Sequence, residues 1–315
     1  MKHVFGPVPS RRLGRSLGVD IVPFKWGPYD CIYCQLGHTT NKSIERQHWV
    51  KVNDVLAEVK EKLASKPDYI TLSGSGEPTL CADIGEIIDG LRSLTEIPIA
   101  VLTNGSLLWQ ADVRREIANA HLVIPSLDAG NTVMFNAVNR PHPDISFEQM
   151  LDGLLALRDE FIGEIWLEVF LLQGYTADLS EVAALADCAK RIRPDRIQLN
   201  TVLRPPADEF AMAVAKARLE ELAHRFSPEA EVIADFQNIH NQSAFSATRD
   251  MVVSLLKRRP CSLEDIASGL GIHRNEAVKH IEELLKENRV QTVRSARLLY
   301  YRAVPERTTG EVEKP

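Results

Sequence analysis

The feature that most constrains the fold is an alternation of element types along the first two thirds of the chain. Short apolar runs rich in β-branched residues lie at Leu17–Val22, Tyr69–Leu72, Ile97–Leu102, Leu122–Pro125, Ile165–Leu171 and Arg196–Leu199. Amphipathic stretches near 52–65, 82–93, 110–119, 146–160 and 178–191 lie between them. The short runs read as strands and the longer periodic stretches as helices. Strand alternating with helix predicts a parallel sheet, because a parallel neighbour needs a crossover long enough to hold a helix. Six such units fall short of a closed eight-stranded barrel. They predict an α/β fold built as a partial, TIM-like (β/α)6 barrel, with a run near Glu231–Asp235 adding a last strand.

Polar residues collect where these strands stop. Leu72 is followed by Ser73-Gly74-Ser75-Gly76-Glu77-Pro78-Thr79, Leu102 by Thr103-Asn104-Gly105, and Pro125 by Ser126-Leu127-Asp128. Glu168 lies late in its strand, and Leu199 precedes Asn200. In parallel barrels the loops after the strands form the active face. The first strand leads into Cys31-Ile32-Tyr33-Cys34, which places both cysteines at that face.

Near Gln242 the pattern changes. Residues 248–257 read as a helix, and Ser262 with Asp265 forms an approximate capping box for a second one. His273–Glu287 reads as a third helix, with Val278, Ile281, Leu284 and Leu285 on one face, and 289–302 alternates like a hairpin. Three helices and a hairpin are the winged-helix order. The expected organisation is therefore a barrel over 1–240, a small winged-helix domain over 246–304 and a disordered polar tail over 305–315. The winged-helix segment carries eleven Lys/Arg against seven Asp/Glu, within a chain of net charge −6. That contrast makes nucleic acid a candidate partner, through Arg274, Asn275, Lys279 and His280 on the third helix and Arg294 and Arg297 on the wing. Four glutamates on the same helix (Glu276, Glu282, Glu283, Glu287) leave protein docking open as well.

No apolar run approaches the ~18 residues that cross a bilayer, and the N-terminal residues lack the apolar core of a signal peptide. A cytoplasmic protein without a membrane partner is expected. Five cysteines, Cys31, Cys34, Cys81, Cys188 and Cys261, are an odd number for a disulfide framework and favour metal or redox use. Cys188 falls in a helix and Cys261 in a turn, both structural positions.

A lone Cys-x-x-Cys is ambiguous between zinc, thiol redox and iron–sulfur chemistry. Its context is less so. The stretch from Phe5-Gly6-Pro7 through Asp20-Ile21-Val22-Pro23-Phe24-Lys25 to Asp30-Cys31-Ile32-Tyr33-Cys34-Gln35-Leu36-Gly37 resembles radical S-adenosylmethionine (SAM) proteins. Ser73–Leu80, Val101–Ser106, Pro125–Ala129 and Asn139-Arg140-Pro141-His142-Pro143 extend the resemblance. Within that family the chain resembles the branch related to the wyosine-type tRNA-modifying enzymes, which often carries a C-terminal winged helix. The resemblance implies a [4Fe–4S] cluster, SAM and an external electron donor. It also implies reductive cleavage of SAM to a 5′-deoxyadenosyl radical that acts on a small molecule or tRNA. It assigns Gly74, Gly76 and Glu77 to the methionine end of SAM, and Asn104, Ser126, Asp128, Glu168 and Asn200 to SAM or substrate. Loop capping is the alternative for each of these.

One departure stands out. The family pattern is Cys-x3-Cys-x2-Cys, and its first cysteine falls on Gly27. Cys31 and Cys34 are expected to ligate iron. The third ligand is open: Asp30 in the same loop, Cys81 or His38 from a neighbouring segment, or none. With none, a regulator that senses SAM or cluster state and binds DNA becomes the alternative to an enzyme. Arg11, Arg12, Arg140 and Arg204 are candidates for an anionic group on the substrate.

Overall fold

The computed structural model describes residues 3–234, 249–270, 272, 274–295 and 298–304. The chain divides into two compact units, residues 1–240 and 241–315. The first is built on one eight-stranded sheet. Its strands, in chain order, are β1 (Val4–Ser10), β2 (Gly14–Val19), β3 (Tyr69–Leu72), β4 (Ile99–Thr103), β5 (Leu122–Pro125), β6 (Glu164–Phe170), β7 (Arg196–Asn200) and β8 (Glu231–Val232). Spatial order follows chain order throughout. Every pair from β2 to β8 is parallel, and β1 is antiparallel to β2. The crossovers are helical, with α1 (Val52–Lys62), α2 (Ile84–Leu94), α3 (Ala111–Ile117), α4 (Thr132–Val138), α5 (Phe147–Glu160), α6 (Leu179–Ile192) and α7 (Lys216–Ala223). Asp235, read as the end of the last strand, lies outside the described residues.

The two faces of the sheet have different neighbours, as the period-two alternation of strand side chains requires. Ile70, Leu72, Ile99, Val101, Val123, Ile165, Leu167, Ile197 and Leu199 join Val55, Ile87, Leu91, Val113, Leu154 and Leu185 of the helices in the main core. The opposite face forms a smaller apolar layer of Ala100, Leu122, Ile124 and Trp166, with Tyr69 and Leu102 against it. Leu13, from the turn between β1 and β2, completes that layer at 2% exposure. The hairpin therefore tucks its turn inside the curve of the sheet. Beside Leu13, the Arg11 guanidinium donates to the carbonyl of Ile233, just past β8, at 3.0 Å. The first hairpin thus bonds the far end of an open sheet, which is what a partial barrel looks like from within.

Sequence periodicity located β3 to β7 to within a few residues. It set the first strand three residues late and missed β1, whose seven residues include Gly6, Pro7 and Pro9. Proline belongs on sheet edges, and β1 is an edge with a register irregularity between Phe5 and Val8. The helices α4 and α7, of seven and eight residues, are too short for periodicity to resolve.

Among its described residues the second unit has three helices, α8 (Arg249–Arg258), α9 (Leu263–Leu270) and α10 (Arg274–Lys286). An antiparallel hairpin of β9 (Val290–Ser295) and β10 (Leu298–Ala303) follows. The capping box at its second helix is present: Asp265 N–H donates to Ser262 Oγ at 3.1 Å, and Ser262 N–H to Asp265 Oδ2 at 3.0 Å. Ala277, Ile281 and Leu284 are buried. Cys261 is buried and pairs with Tyr301 through two backbone bonds. The Arg274 guanidinium is held by Glu264 at 2.9 Å. The start of the third helix at His273, the Asn275 side chain, Arg297 and the tail over 305–315 lie outside the described residues.

Candidate functional site

The segment after β2 runs across the strand ends and carries Cys31 and Cys34. A backbone zipper fixes it to the loop after β3. Lys25 N–H donates to the Ser75 carbonyl at 2.7 Å, and Glu77 N–H donates to the Trp26 carbonyl at 3.0 Å. On its other side, Ile32 N–H donates to Val138 O at 3.0 Å, and Asp208 N–H donates to Ile32 O at 2.9 Å. The Cys-x-x-Cys is therefore bonded to three separate loops at the open end of the sheet.

Each side chain assigned from sequence has a defined place. A Cβ on Gly74 would land on the Asp20 carboxylate, and one on Gly76 would sit 2.5 Å from the Trp26 carbonyl oxygen. Packing within the protein already demands both glycines. Glu77 is 4% exposed, and its carboxylate accepts from Thr79 N at 3.1 Å and Thr79 Oγ1 at 2.6 Å. It also accepts from Thr103 Oγ1 at 2.6 Å and Asn104 N at 2.7 Å. Burial raises its pKa, and those four bonds oppose the rise. Glu77 thus ties the β3 loop to the β4 loop. Asn104 Oδ1 accepts from Ser106 N–H at 2.9 Å, and Ser126 bridges to Glu168 through the backbone.

Glu168 and Asn200 form a second group inside the curve of the sheet. The Arg12 guanidinium lies 2.7 Å from Glu168, Asn200 Nδ2 donates to Glu168 at 2.7 Å, and Arg11 donates to Asn200 Oδ1 at 3.1 Å. Burial pushes the Glu168 carboxyl up, but Arg12, Asn200 and Arg11 together hold it below the usual value. Arg11 and Arg12 come from the inserted hairpin turn, and Arg140 and Arg204 lie elsewhere. Arg140 pairs with Asp208 at 2.8 Å, and buried Arg204 donates to Gln35 at 3.3 Å.

Asp128 sits behind Cys31 in a network the sequence did not reveal. The Tyr33 hydroxyl donates to Asp128, and Asn139 Nδ2 donates to Asp128 at 2.7 Å and lies 3.4 Å from Cys31 Sγ. Burial raises Asp128 to about 6, against the hydrogen bonds from Tyr33 and Asn139 that favour its carboxylate. Burial also pushes up the Cys31 and Cys34 thiols; the neighbouring Asp128 adds to the rise at Cys31. Tyr33 stacks on Phe170 with ring centroids 4.0 Å apart. Asn139 is 108 residues from Cys31 along the chain, so no local pattern could have paired them.

The donor set tests the implied cluster. Among the described residues no group of three or more His, Cys, Asp or Glu side chains is arranged to hold a metal ion. Asp30 Oδ1 accepts from Thr39 N–H at 2.8 Å and lies 3.3 Å from His38 Nδ1, the arrangement of a loop cap. The other ring nitrogen of His38 faces Asp208 at 3.4 Å. Cys81 is fully buried in the main core, its carbonyl accepts from Arg46 at 2.9 Å, and burial pushes its thiol up to about 11. The two thiols of the loop suit two irons, and the fit to a cluster held by three protein thiolates is short by one ligand. A small-molecule ligand is better provided for. Tyr29 Oη, Asp128 Oδ1 and Asn139 Oδ1 belong to side chains at most 5% exposed, and none has a protein partner. The Cys31 thiol acts electrostatically on Tyr29 and is in contact with Asn139.

The radical SAM superfamily matches residues 21–226. The chain is 39% identical over 214 residues to the UPF0026 protein MJ1312 of Methanocaldococcus jannaschii, covering 67% of this chain and 66% of that protein. It is 30% identical over 304 residues to a UPF0026 protein of Helicobacter pylori strain J99, covering 95% and 96%. A Brachyspira hyodysenteriae protein named GTPase Obg is 38% identical over 291 residues, but the chain spans only 42% of its length. This sequence contains no Gly-Lys pair and so no Walker-type phosphate loop. Among solved structures, a radical SAM methyltransferase from Sphaerobacter thermophilus superposes with a TM-score of 0.51 at 16% identity, covering 69% of this chain and 65% of that one. HydG, a maturase of the [FeFe]-hydrogenase, superposes with a TM-score of 0.50 at 14% identity, covering 69% and 50%. Fold, strand-end chemistry and sequence agree, and the chain belongs to the radical SAM superfamily of enzymes.

Proposed function

We propose that the first unit binds SAM and an iron–sulfur cluster together at its strand ends, with Cys31 and Cys34 as the protein's iron ligands. One observation carries this reading. The Cys-x-x-Cys segment is zipped to the Ser75–Glu77 backbone at one edge, while a buried polar network with three unsatisfied atoms backs it at the other. When bound, such a cluster would supply one-electron reduction of SAM, with the electron coming from an external donor. The chain's own residues hold and orient. Asn139 directs an N–H at Cys31, Tyr33 and Phe170 offer stacked aromatic surface, and Glu77 keeps two strand-end loops in register. Glu168, paired with Arg12, and Asn200, hydrogen-bonded by Arg11, line the space where a substrate would enter. Anaerobic reconstitution tests this. About four irons and four sulfides per chain are expected, with EPR and Mössbauer spectra that shift on adding SAM. Cys31→Ala and Cys34→Ala should lose them. A wild type that takes up no iron, or a cluster blind to SAM, would sink the proposal.

The second unit we read as a winged helix that grips a nucleic acid. Its helix–helix–helix–hairpin order and its exposed Lys279 and Arg294 favour this. Anisotropy titrations against tRNA and duplex DNA at two salt concentrations discriminate the outcomes. A steep salt dependence on tRNA supports an RNA-modifying enzyme. Sequence-specific DNA binding without turnover supports a regulator, and binding to neither leaves protein docking.

A further inference from the structure

The connection from β7 to α7 leaves and returns at one point. Thr201, 3% exposed, donates its hydroxyl to the Leu171 carbonyl at 2.8 Å and accepts from Val214 N–H at 2.9 Å. Residues 202–213 therefore form an Ω-loop, a compact excursion whose ends are held together. Pro205-Pro206 stiffens the outgoing arm, because each ring fixes its own φ. On the returning arm Met212 and Ala213 pair antiparallel with Gln173 and Leu172.

The far end of this loop lies against the Cys-x-x-Cys segment, and Asp208 ties it to three places there. Its N–H donates to the Ile32 carbonyl at 2.9 Å. Its carboxylate pairs with Arg140 at 2.8 Å and faces His38 Nε2 at 3.4 Å. Arg204 adds a long bond to Gln35 at 3.3 Å. The apolar contact is small. Ala211 and Val202 join Ile32, Val138 and Leu172 in a cluster separate from the main core. The large side chains at the tip stay outside, with Phe210 51% and Met212 56% exposed. A stiff loop with a clipped base, a polar attachment and little buried apolar surface is the kind of unit that opens locally. Beneath it Ile32 is fully buried.

We propose that residues 202–213 are a lid over the Cys31–Cys34 segment, hinged at Thr201 and Val214 and latched by Asp208, and that it lifts to admit large molecules to that segment. This goes beyond the reading above and rests on contacts within the protein alone. Lifting parts Asp208 from Ile32, Arg140 and His38 and leaves the Thr201 clip closed.

The test compares full-length, metal-free wild type with Asp208→Asn and Arg140→Gln. Asp208→Asn keeps the side-chain size and the backbone N–H but removes the charge that faces Arg140 and His38. Amide exchange, read by mass spectrometry, should quicken about three- to fivefold over 202–211 in both variants. Val214, bonded to Thr201, and helix α2 should keep their wild-type protection. Cys31 and Cys34 are then labelled in parallel with iodoacetamide and with a bulky polyethylene-glycol maleimide. The ratio of the two rates cancels any change in thiol reactivity, and the buried Cys81, Cys188 and Cys261 report global unfolding. The ratio should shift towards the bulky reagent by a similar factor, with those three cysteines unlabelled. Unchanged exchange over 202–211, loss of Val214 protection along with it, or an unchanged labelling ratio overturns the inference. If Asp208→Asn loses protection in α2, Arg140→Gln carries the test with the same expectations. If both lose it, Asp208 is a folding contact and the lid falls. Neither cluster nor SAM is present in these measurements, so their failure leaves the reading above standing, and its failure leaves the lid.

Discussion

The clearest quantitative test concerns what the glycines of the Gly74–Glu77 loop are for. Gly74→Ala drives a methyl into the Asp20 carboxylate, whose Oδ2 accepts from Ser75 Oγ at 2.6 Å and Ser75 N at 3.2 Å. Overpacking of this kind costs about 1–3 kcal/mol. Asp20→Ala removes the clash but also the two Ser75 bonds, and a hydrogen bond to a charged group contributes about 1.5–3 kcal/mol. The Gly74→Ala methyl has nothing left to strike in the Asp20→Ala background. The double variant should therefore be more stable than the sum of the singles by at least about 1 kcal/mol, within the usual range for residues in contact. Gly76→Ala has no such rescue. Its methyl meets the Trp26 carbonyl oxygen at 2.5 Å and Pro23 O at 3.1 Å, both main chain. Pushing Trp26 away also breaks its bond from Glu77 N–H, worth about 1 kcal/mol. The sum, about 2–4 kcal/mol, should persist with Asp20→Ala. Urea denaturation of the metal-free protein reads all five variants. An additive cycle at Gly74 and Asp20, or a Gly76→Ala protein as stable as the wild type, would refute packing as the origin of these glycines and return them to cofactor contact.

Three further perturbations follow from the same geometry. Arg12→Met leaves the half-buried Glu168 carboxylate without its guanidinium at 2.7 Å and should cost about 1.5–3 kcal/mol. Adding Glu168→Gln should recover much of it, and a double variant no better than Arg12→Met counts against the pair. Asp128 has a folded pKa of about 6, above the unfolded value of about 3.9. As pH falls from about 6 to 4 the folded state takes a proton that the unfolded state does not, so this group adds about 2–3 kcal/mol of stability across that window. Asp128→Asn should remove that gain relative to wild type in metal-free denaturation curves, and parallel pH profiles would contradict it. Asn139→Leu deletes the donors to Cys31 and Asp128. It should lower iron affinity about 10–100-fold, as removal of outer-shell partners does; unchanged iron retention by chelator competition excludes that role.

The parallel sheet was legible because each central strand repeats one local signal, and the polar strand ends marked the open face. What was not legible depends on contacts distant in sequence. Nothing near Arg12 announces that a hairpin turn carries it to Glu168, 156 positions away in numbering. The Asp20–Gly74 and Asn139–Cys31 contacts are of the same kind. Glu77 invited assignment to a ligand because a carboxylate beside glycines looks available. Four protein donors, three of them on Thr79 or Thr103, already use it. The missing thiolate at Gly27 was visible in sequence, but only the coordinates show that packing requires Gly74 and Gly76.

The inserted hairpin also organises the inner face of the sheet. Along the inner face the side chains fall into layers by register. Leu122 pairs with Glu164 and Ala100 near the strand starts, while Glu168 pairs with Gln198 towards the strand ends. The lowest layer is apolar and closed by Leu13. Above it Arg11 and Arg12 are bonded to Asn200, Gln198 and Glu168, so this layer is polar but internally satisfied. The level of Cys31, Tyr29, Asp128 and Asn139 keeps three buried polar atoms without partners, on Tyr29, Asp128 and Asn139. A ligand gains most where it satisfies such groups, since each unmet polar atom costs about 1–3 kcal/mol. These three atoms favour a ligand at the upper rim. The arginine layer carries charge below that rim, and its guanidiniums hold Glu168 ionised against burial. Replacing Leu13 with alanine should loosen the layer below without touching the rim. It should cost about 2–5 kcal/mol in stability while leaving SAM affinity, measured by calorimetry on the reconstituted protein, within about twofold. A larger loss of affinity would mean that this layer and the rim are one coupled unit.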